Sequence, residues 1–534
     1  MSQAVLSLLL AGLAYFLGNR SSPTVTLDSA TVTGLSSGSV NEFLGIPFAQ
    51  PPTGQLRFQL PQALPPYNAS FSATAYGPAC PQRAKEIPIG LGLPTETLDY
   101  LKFFNNSIVA PLPAEDCLTL NVIVPADATP DSKLPVVVWI YGGAFEVGTT
   151  KGYNGTVIVE KAVSLGVPAI YVSMNYRQEV KDAGVGNLGL QDQRLALYWI
   201  QKYINAFGGD PTKVTIWGES AGAISAALHT VTNDGNPDGL FRAAFMQSGS
   251  AFPVGNILKG QKYYDALVSD TRCSSASDTL QCLREVPYET LLDAVNQSPS
   301  AFSYQSTVLA WQPRVDGVFL TDEPHKLVQQ GSVANIPFVN GVCDDEGTLF
   351  SFPSLNITTD AQFEEYLKTY RFPEAPTTTI QELMEFYPAN ISQGSPFDTG
   401  VLNAVTPQFK RIAAFQGDVT FEAFRRFLLQ QRSGKQPLWT YVTKRLKTLP
   451  VLGAFHGSDI FNVYGGQDMA SYLVRFVNNL DPNGGTDLYW PQYTTGKPHM
   501  LEFLDGLIPQ ALTEDTYRVE AMEFLTNVML AYSL

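Results

Sequence analysis

Apolar residues in this chain cluster in short runs the length of strands. Such runs are Leu134-Pro135-Val136-Val137-Val138-Trp139-Ile140, Val214-Thr215-Ile216-Trp217, Ile336-Pro337-Phe338-Val339-Asn340-Gly341-Val342 and Gln436-Pro437-Leu438-Trp439-Thr440-Tyr441-Val442. They are rich in β-branched and aromatic residues, which suit a pleated, buried surface. Between them fall stretches of helical character. Ala221 to Leu228 is a helix built from small residues, and Leu98-Asp99-Tyr100-Leu101-Lys102-Phe103-Phe104 carries apolar residues at helical spacing. Thr31-Val32-Thr33 reads as a strand, and the Ser-Gly-Ser-Val-Asn after Ser36 reads as turn chemistry. Ala4 to Gly18 is an apolar run too short to span a bilayer comfortably.

Composition changes this picture only in part. The 534 residues could hold several average domains, but large α/β chains often form one unit, and residues 21–534 are expected to do so. With 45% hydrophobic and 16% charged residues, the chain can bury a sizeable core. A net charge of −15 argues against nucleic acid or an anionic membrane as partner, since both need basic patches. Residues 1–20 resemble a secretory leader, although the basic start is missing and the cleavage point is ambiguous; an uncleaved anchor is the alternative. No second apolar stretch reaches membrane length. The five cysteines fit an exported protein with two disulfides and one spare. Sequons at Asn68, Asn105, Asn154, Asn296, Asn356 and Asn390 agree with that compartment.

The pattern G-x-S-x-G occurs twice, as Gly34-Leu35-Ser36-Ser37-Gly38 and Gly218-Glu219-Ser220-Ala221-Gly222. It activates a serine only where a strand feeds a tight turn that opens directly into a helix. Ser220 has that context. Ser36 is expected to be a turn serine. A serine also needs a base, and the base needs an orienting acid. Of the four histidines, His229 lies nine residues along the same helix, about 13 Å away at 1.5 Å per residue, and cannot reach back. His325 comes after Asp322-Glu323-Pro324 and is expected at the surface. His456, in Gly453-Ala454-Phe455-His456-Gly457 after a strand, is the leading base, with His499 as the rival. The acid is sought in Asp344-Asp345-Glu346-Gly347, just past another strand, because functional groups of open α/β sheets lie beyond the carboxyl ends of strands. Tyr141-Gly142-Gly143-Ala144-Phe145 comes after a third strand. Its small residues let backbone N–H groups approach a developing oxyanion, each donor being worth about 3–4 kcal/mol.

Two long stretches carry a family resemblance: Phe207-Gly208-Gly209-Asp210-Pro211 through Val214 to Gly222, and Glu115-Asp116-Cys117-Leu118-Thr119-Leu120-Asn121-Val122. Phe43 to Pro52, the Tyr141–Phe145 loop, Asp345-Glu346-Gly347 and Phe455-His456 add to it. From about Pro23 onward the chain resembles the type-B carboxylesterases and lipases. This implies an α/β-hydrolase fold, an α/β architecture with a large, mostly parallel central sheet flanked by helices. It also implies Ser220 as nucleophile, His456 as base, Glu346 as orienting acid, and Gly143, Ala144 and Ala221 as oxyanion donors. Where many family members carry three glycines, this chain has Gly142-Gly143-Ala144, which keeps the N–H.

The resemblance further implies disulfides Cys80–Cys117 and Cys273–Cys282, with Cys343 a buried free thiol, and a lid within 81–116 that includes Leu91, Leu93, Tyr100, Phe103 and Phe104. The expected activity is secreted hydrolysis of long-chain acyl, glyceride or sterol esters at a lipid or micelle interface. A plain carboxylesterase or hydroxycinnamoyl esterase is the alternative, and a non-catalytic adhesion module the remote one. No metal or organic cofactor is expected. A dedicated choline site is not expected either, because cholinesterases place a tryptophan in the first disulfide loop and none lies between Cys80 and Cys117. Acyl preference and oligomeric state stay open.

Overall fold

The apolar runs become neighbouring strands of one large sheet. The computed structural model describes residues 22–83, 93–108, 113–177 and 186–533, with residues 103–108 as backbone only. Among these, the sheet has twelve strands. From one edge, its order is Leu35–Ser37, Val40–Pro47, Thr119–Pro125, Ile170–Met174, Leu134–Ile140, Gly209–Glu219, Ala243–Gln247, Phe338–Cys343, Tyr441–Thr443, His499–Phe503 and Gln510–Glu514; Leu438–Trp439 also pairs with Phe338–Cys343. The pairs from Ile170–Met174 across to His499–Phe503 are parallel, and those nearer each edge are antiparallel. A smaller sheet of Thr24–Leu27, Ala30–Thr33 and Phe71–Ser72 lies apart.

Helices cover both faces, which explains why the central strands lack a polar side. Alternate residues of Leu134–Ile140 go to opposite cores, as a two-residue period requires. Val136 and Val138 join the core under helices Leu188–Tyr203 and Ala221–Val231, whereas Val137 and Trp139 join the one under Gly155–Ser164 and Asp468–Asn479. A satellite core holds helices Gln261–Asp270, Thr279–Glu285 and Tyr288–Asn296. Disulfides join Cys80 to Cys117 and Cys273 to Cys282, and Cys343 is a buried free thiol.

Two local expectations are corrected. His325 is fully buried, not at the surface. Glu323 points its carboxylate at the Val254 and Gly255 N–H groups, and the helix Pro324–Gln330 turns the imidazole onto Phe424. Ser36 sits inside edge strand Leu35–Ser37 opposite Asn41, so the turn begins beyond it, near Gly38.

Within the segment 81–116, Thr95–Ile108 is a helix laid on the body. Leu101 is fully buried, the Thr97 hydroxyl donates to the Pro450 carbonyl (2.8 Å), and Tyr100 meets the rings of Phe455 and Phe461. Leu93 packs on the main core. Residues 1–20, Leu91, and the side chains of Phe103, Phe104 and Asn105 lie outside the described residues. No helix among the described residues is long and apolar enough to cross a membrane. Asn68, Asn154, Asn356 and Asn390 are exposed and Asn296 half-buried.

Candidate active site

Four strand ends converge on one point. Ser220 comes directly after Gly209–Glu219 and caps helix Ala221–Val231 with φ 56° and ψ −125°, outside the regions L-residues usually occupy. The neighbouring sheet strand holds it there: the Ser220 N–H donates to the Gln247 carbonyl (2.9 Å), and its own carbonyl accepts from Ile224 (2.9 Å). The glycines of the motif make room. A Cβ on Gly218 would lie 2.3 Å from the Gly222 carbonyl carbon, and one on Gly222 only 1.9 Å from the Ile140 carbonyl oxygen.

His456, on the loop after Tyr441–Thr443, places Nε2 2.8 Å from Ser220 Oγ and Nδ1 2.5 Å from Glu346 Oε2. The other Glu346 oxygen accepts the Cys343 N–H (2.7 Å). Glu219 Oε1 is 3.4 Å from the same Nε2. Burial opposes charge on the His456 ring, but the Glu346 and Glu219 carboxylates outweigh it, so its pKa lies above the ordinary histidine value of 6.5.

Asp345, beside Glu346 in the same acidic stretch, has a role that its sequence context does not reveal. It is fully buried, and it ties the two loops together. Its N–H donates to the Ala454 carbonyl and its carboxylate accepts the Ala454 N–H, both at 2.9 Å, while Lys447 supplies the counter-charge at 2.8 Å. Phe350 and Phe421 were missed as well. Their rings lie 5.1 Å and 4.4 Å from the imidazole, centroid to centroid. Phe421 belongs to Asp418–Glu422, a helical stretch widened to a π turn, for which no hydrophobic period gives warning.

The loop after Leu134–Ile140 faces the serine. A Cβ on Gly142 would meet Glu219 Oε2 at 2.6 Å and Ser220 Cβ at 2.8 Å. Gly143, Ala144 and Phe145 all have positive φ (117°, 59° and 56°), with the Gly143 carbonyl accepting from the Glu146 and Val147 N–H groups. Among the described residues neither the Gly143 nor the Ala144 N–H donates to a protein acceptor.

The remaining histidines lie elsewhere. His229 is buried against Gln193 (3.0 Å), its pKa pushed down to about 3 by burial and then by Arg194. Burial brings His325 down to about 4. His499 opens the strand His499–Phe503 opposite Glu514, away from the serine. The described residues contain no cluster of acidic, histidine or cysteine side chains able to hold a metal ion.

Residues 21–519 match the carboxylesterase family model. The chain is 44% identical to lipase 4 of Diutina rugosa over 89% of this chain and 90% of that one. It is 39% identical to a secreted triacylglycerol lipase of Gibberella zeae over 94% and 90%. The crystal structure of Aspergillus niger EstA superimposes with a TM-score of 0.81 at 26% identity, covering 97% of this chain and 100% of that one. The chain belongs to the carboxylesterase family of α/β-hydrolases, as a carboxylic ester hydrolase.

Proposed function

We propose that Ser220, His456 and Glu346 hydrolyse hydrophobic esters through an acyl-enzyme. The observation that carries this is the unbroken relay of 2.8 Å and 2.5 Å contacts from Ser220 through His456 to Glu346. Glu346 holds the proton on Nδ1, leaving the Nε2 lone pair to take the Ser220 proton as Oγ attacks the ester carbonyl. Gly143, Ala144 and Ala221 N–H groups receive the oxyanion. The imidazolium then protonates the leaving alcohol, and water repeats the sequence to release the acid.

Only the neutral imidazole can act as base, and its pKa is raised. Activity is therefore complete above that pKa and falls as pH drops through it. Glu219→Gln removes one of the three carboxylates that raise it, Glu346 and Asp459 being the others. The acid limb of the kcat/KM–pH profile of this variant should shift to lower pH. An unchanged limb would assign Glu219 a packing role only.

Hydrophobic specificity is supported by the relatives' names and by a small apolar cleft beside Phe145, of about 90 Å³, walled by Phe58, Phe145, Leu291, Leu292, Val295 and Trp311. Pro81 and Arg83, next to the Cys80–Cys117 bond, also line it. We read segment 81–116 as a lid that leaves its place beside Phe455 when it meets lipid, because an oil surface offsets the cost of exposing apolar area in water. The disulfides, the exposed sequons and the secreted relatives support export after removal of residues 1–20. The test compares emulsified long-chain esters with soluble short-chain ones. The double variant Phe103→Ser, Phe104→Ser should lose about tenfold more activity on the former, the size expected from burying one phenyl ring. An equal loss on both, or a wild type indifferent to interfaces, would make this a plain carboxylesterase without a lid.

A further inference from the structure

The loop that leads from strand Tyr441–Thr443 to His456 is gripped from three sides on its way. The Leu446 N–H donates to Asp505 Oδ2 (2.8 Å) and Arg445 Nε to the Leu504 carbonyl (3.3 Å), which ties the loop to the turn between strands His499–Phe503 and Gln510–Glu514. The Pro450 carbonyl accepts the Thr97 hydroxyl from helix Thr95–Ile108, and the Val451 N–H donates to Asn403 Oδ1 (3.0 Å). Leu446 and Val451 both have positive φ (65° and 69°), a conformation that such residues keep only where their surroundings fix it. The two lie five positions apart in the chain, a span of at most about 18 Å. The turn 504–509, the loop 399–405 and helix Thr95–Ile108 are therefore rooted around one short stem of the His456 loop.

Two of these three elements hold out bare aliphatic side chains. Leu507 and Ile508, adjacent in the turn, are 103% and 70% exposed, and Val401 and Leu402 in the loop are 62% and 68% exposed. Single exposed aliphatics are ordinary, whereas pairs on adjoining projections form a patch. The Leu504 N–H donates to the Pro509 carbonyl (2.9 Å), so a backbone bond closes the turn beneath its tip. Between this turn and helix Thr95–Ile108 lies an open cleft of about 570 Å³, lined by Glu96, Asp99 and Tyr100 from the helix and by Arg445, Leu446 and Asp505 from the other side. Three of these are carboxylates, and Arg445 is already paired with Asp468 (2.8 Å). With a net charge of −15 on the whole chain, such a rim repels an anionic bilayer and suits a neutral lipid surface.

We propose that Leu507, Ile508, Val401 and Leu402 form a fixed anchor that enters a neutral lipid surface and brings the His456 loop and helix Thr95–Ile108 against it. The inference deepens the hydrophobic-ester reading above and rests on it, but it does not require the lid to move. Through Pro450 and Thr97 the stem of the His456 loop joins the patch to segment 81–116, so anchor and lid meet the same surface. The lid must give up contacts to reach oil. The anchor gives up none, because its side chains already face water and gain by leaving it. It therefore binds first and holds the protein while the lid opens.

The test is flotation with hexadecane droplets coated with ether-linked phosphatidylcholine, which hold no ester, so binding is read apart from turnover. The double variant Leu507→Ser, Ile508→Ser should bind about tenfold or more weakly, as expected when two aliphatic side chains are lost from oil, and adding Val401→Ser and Leu402→Ser should weaken it further. Hydrolysis of soluble 4-nitrophenyl acetate should stay unchanged in both. Val318→Ser is the control. Val318 is 76% exposed, but its neighbour Phe319 accepts the Thr232 hydroxyl at the far end of helix Ala221–Val231, about 18 Å from Ser220 at 1.5 Å per residue. Its loss should leave droplet binding intact. A wild type that ignores the droplets, tip variants that bind like wild type, or an equal loss in Val318→Ser would overturn the anchor. So would a lipid-free dimer that the tip substitutions convert to monomer, since the patch would then serve a second copy of the chain. The hydrophobic-ester reading fails separately, if emulsified esters are turned over no faster than soluble ones.

Discussion

Ser220→Ala should lower kcat/KM for any ester by about 10⁶-fold, the scale seen when the nucleophile of a serine triad is removed. The residual rate then comes from the Gly143–Ala144 loop and substrate binding alone. Stability should change little, because alanine occupies the same backbone position and only the 2.8 Å contact to His456 is lost, worth about 1 kcal/mol. The comparison variant is Ser36→Ala. Ser36 carries the same five-residue pattern but is exposed on the edge strand Leu35–Ser37, so its loss should leave turnover unchanged. The measurements are 4-nitrophenyl ester hydrolysis, thermal melting, and peptide mapping after treatment with an alkylphosphonate. Near-wild-type hydrolysis by Ser220→Ala, or an adduct on any residue but Ser220, would overturn the assignment.

Gly222→Ala should be the second most damaging single change, although it adds one methyl group. The new Cβ would stand 1.9 Å from the Ile140 carbonyl oxygen and 2.9 Å from that of Tyr141. Both are backbone atoms of the central sheet and its adjoining loop, so no side chain can swing aside. Helix Ala221–Val231 must instead lift off the sheet, carrying Ser220 away from His456. Overpacking of this kind costs about 1–3 kcal/mol or more, and a displacement near 1 Å costs about 100-fold in rate. We expect a Tm several degrees lower and activity down by about 100-fold or more. Gly496→Ala serves as control: nothing lies within 4 Å of its would-be Cβ, and its backbone is not in the left-handed region. If Gly222→Ala matches the control, the close approach of helix and sheet does not govern the serine's position.

Much of this was legible in the residues because it rests on local rules. The central strands announce themselves as apolar runs, since burial on both faces removes any polar alternation. The two G-x-S-x-G sequences are told apart by the residues just beyond the serine, and the structure shows a helix after Ser220 and a strand-to-turn passage around Ser36. His325 was misplaced for the opposite reason. Asp322-Glu323-Pro324 is a surface-like prefix, but Glu323 directs its charge to two buried N–H groups and the next helix faces inward. Asp345 stands among the candidate acids, but its role in joining the two loops gives no signal, because a carboxylate in a run of three acids has no pattern of its own. Its partners Ala454 and Lys447 lie about a hundred residues away in the chain. The π turns at Leu367–Arg371 and Asp418–Glu422 likewise come from tertiary packing, and no sequence period encodes them.

The clasp between Asp345 and Ala454 closes a loop of more than a hundred residues at its base. Glu346 and His456 sit at the two ends of that loop, and the loop itself carries Phe350 and Phe421. The chain thus divides the labour between a fixed hinge point and the long excursion it encloses. Substitutions along the excursion can reshape the space that receives substrate while the acid and the base stay joined at its root. A lineage with this topology can drift from one ester to another through the middle of the loop without rebuilding its proton relay, and a designer can randomise that stretch on the same terms.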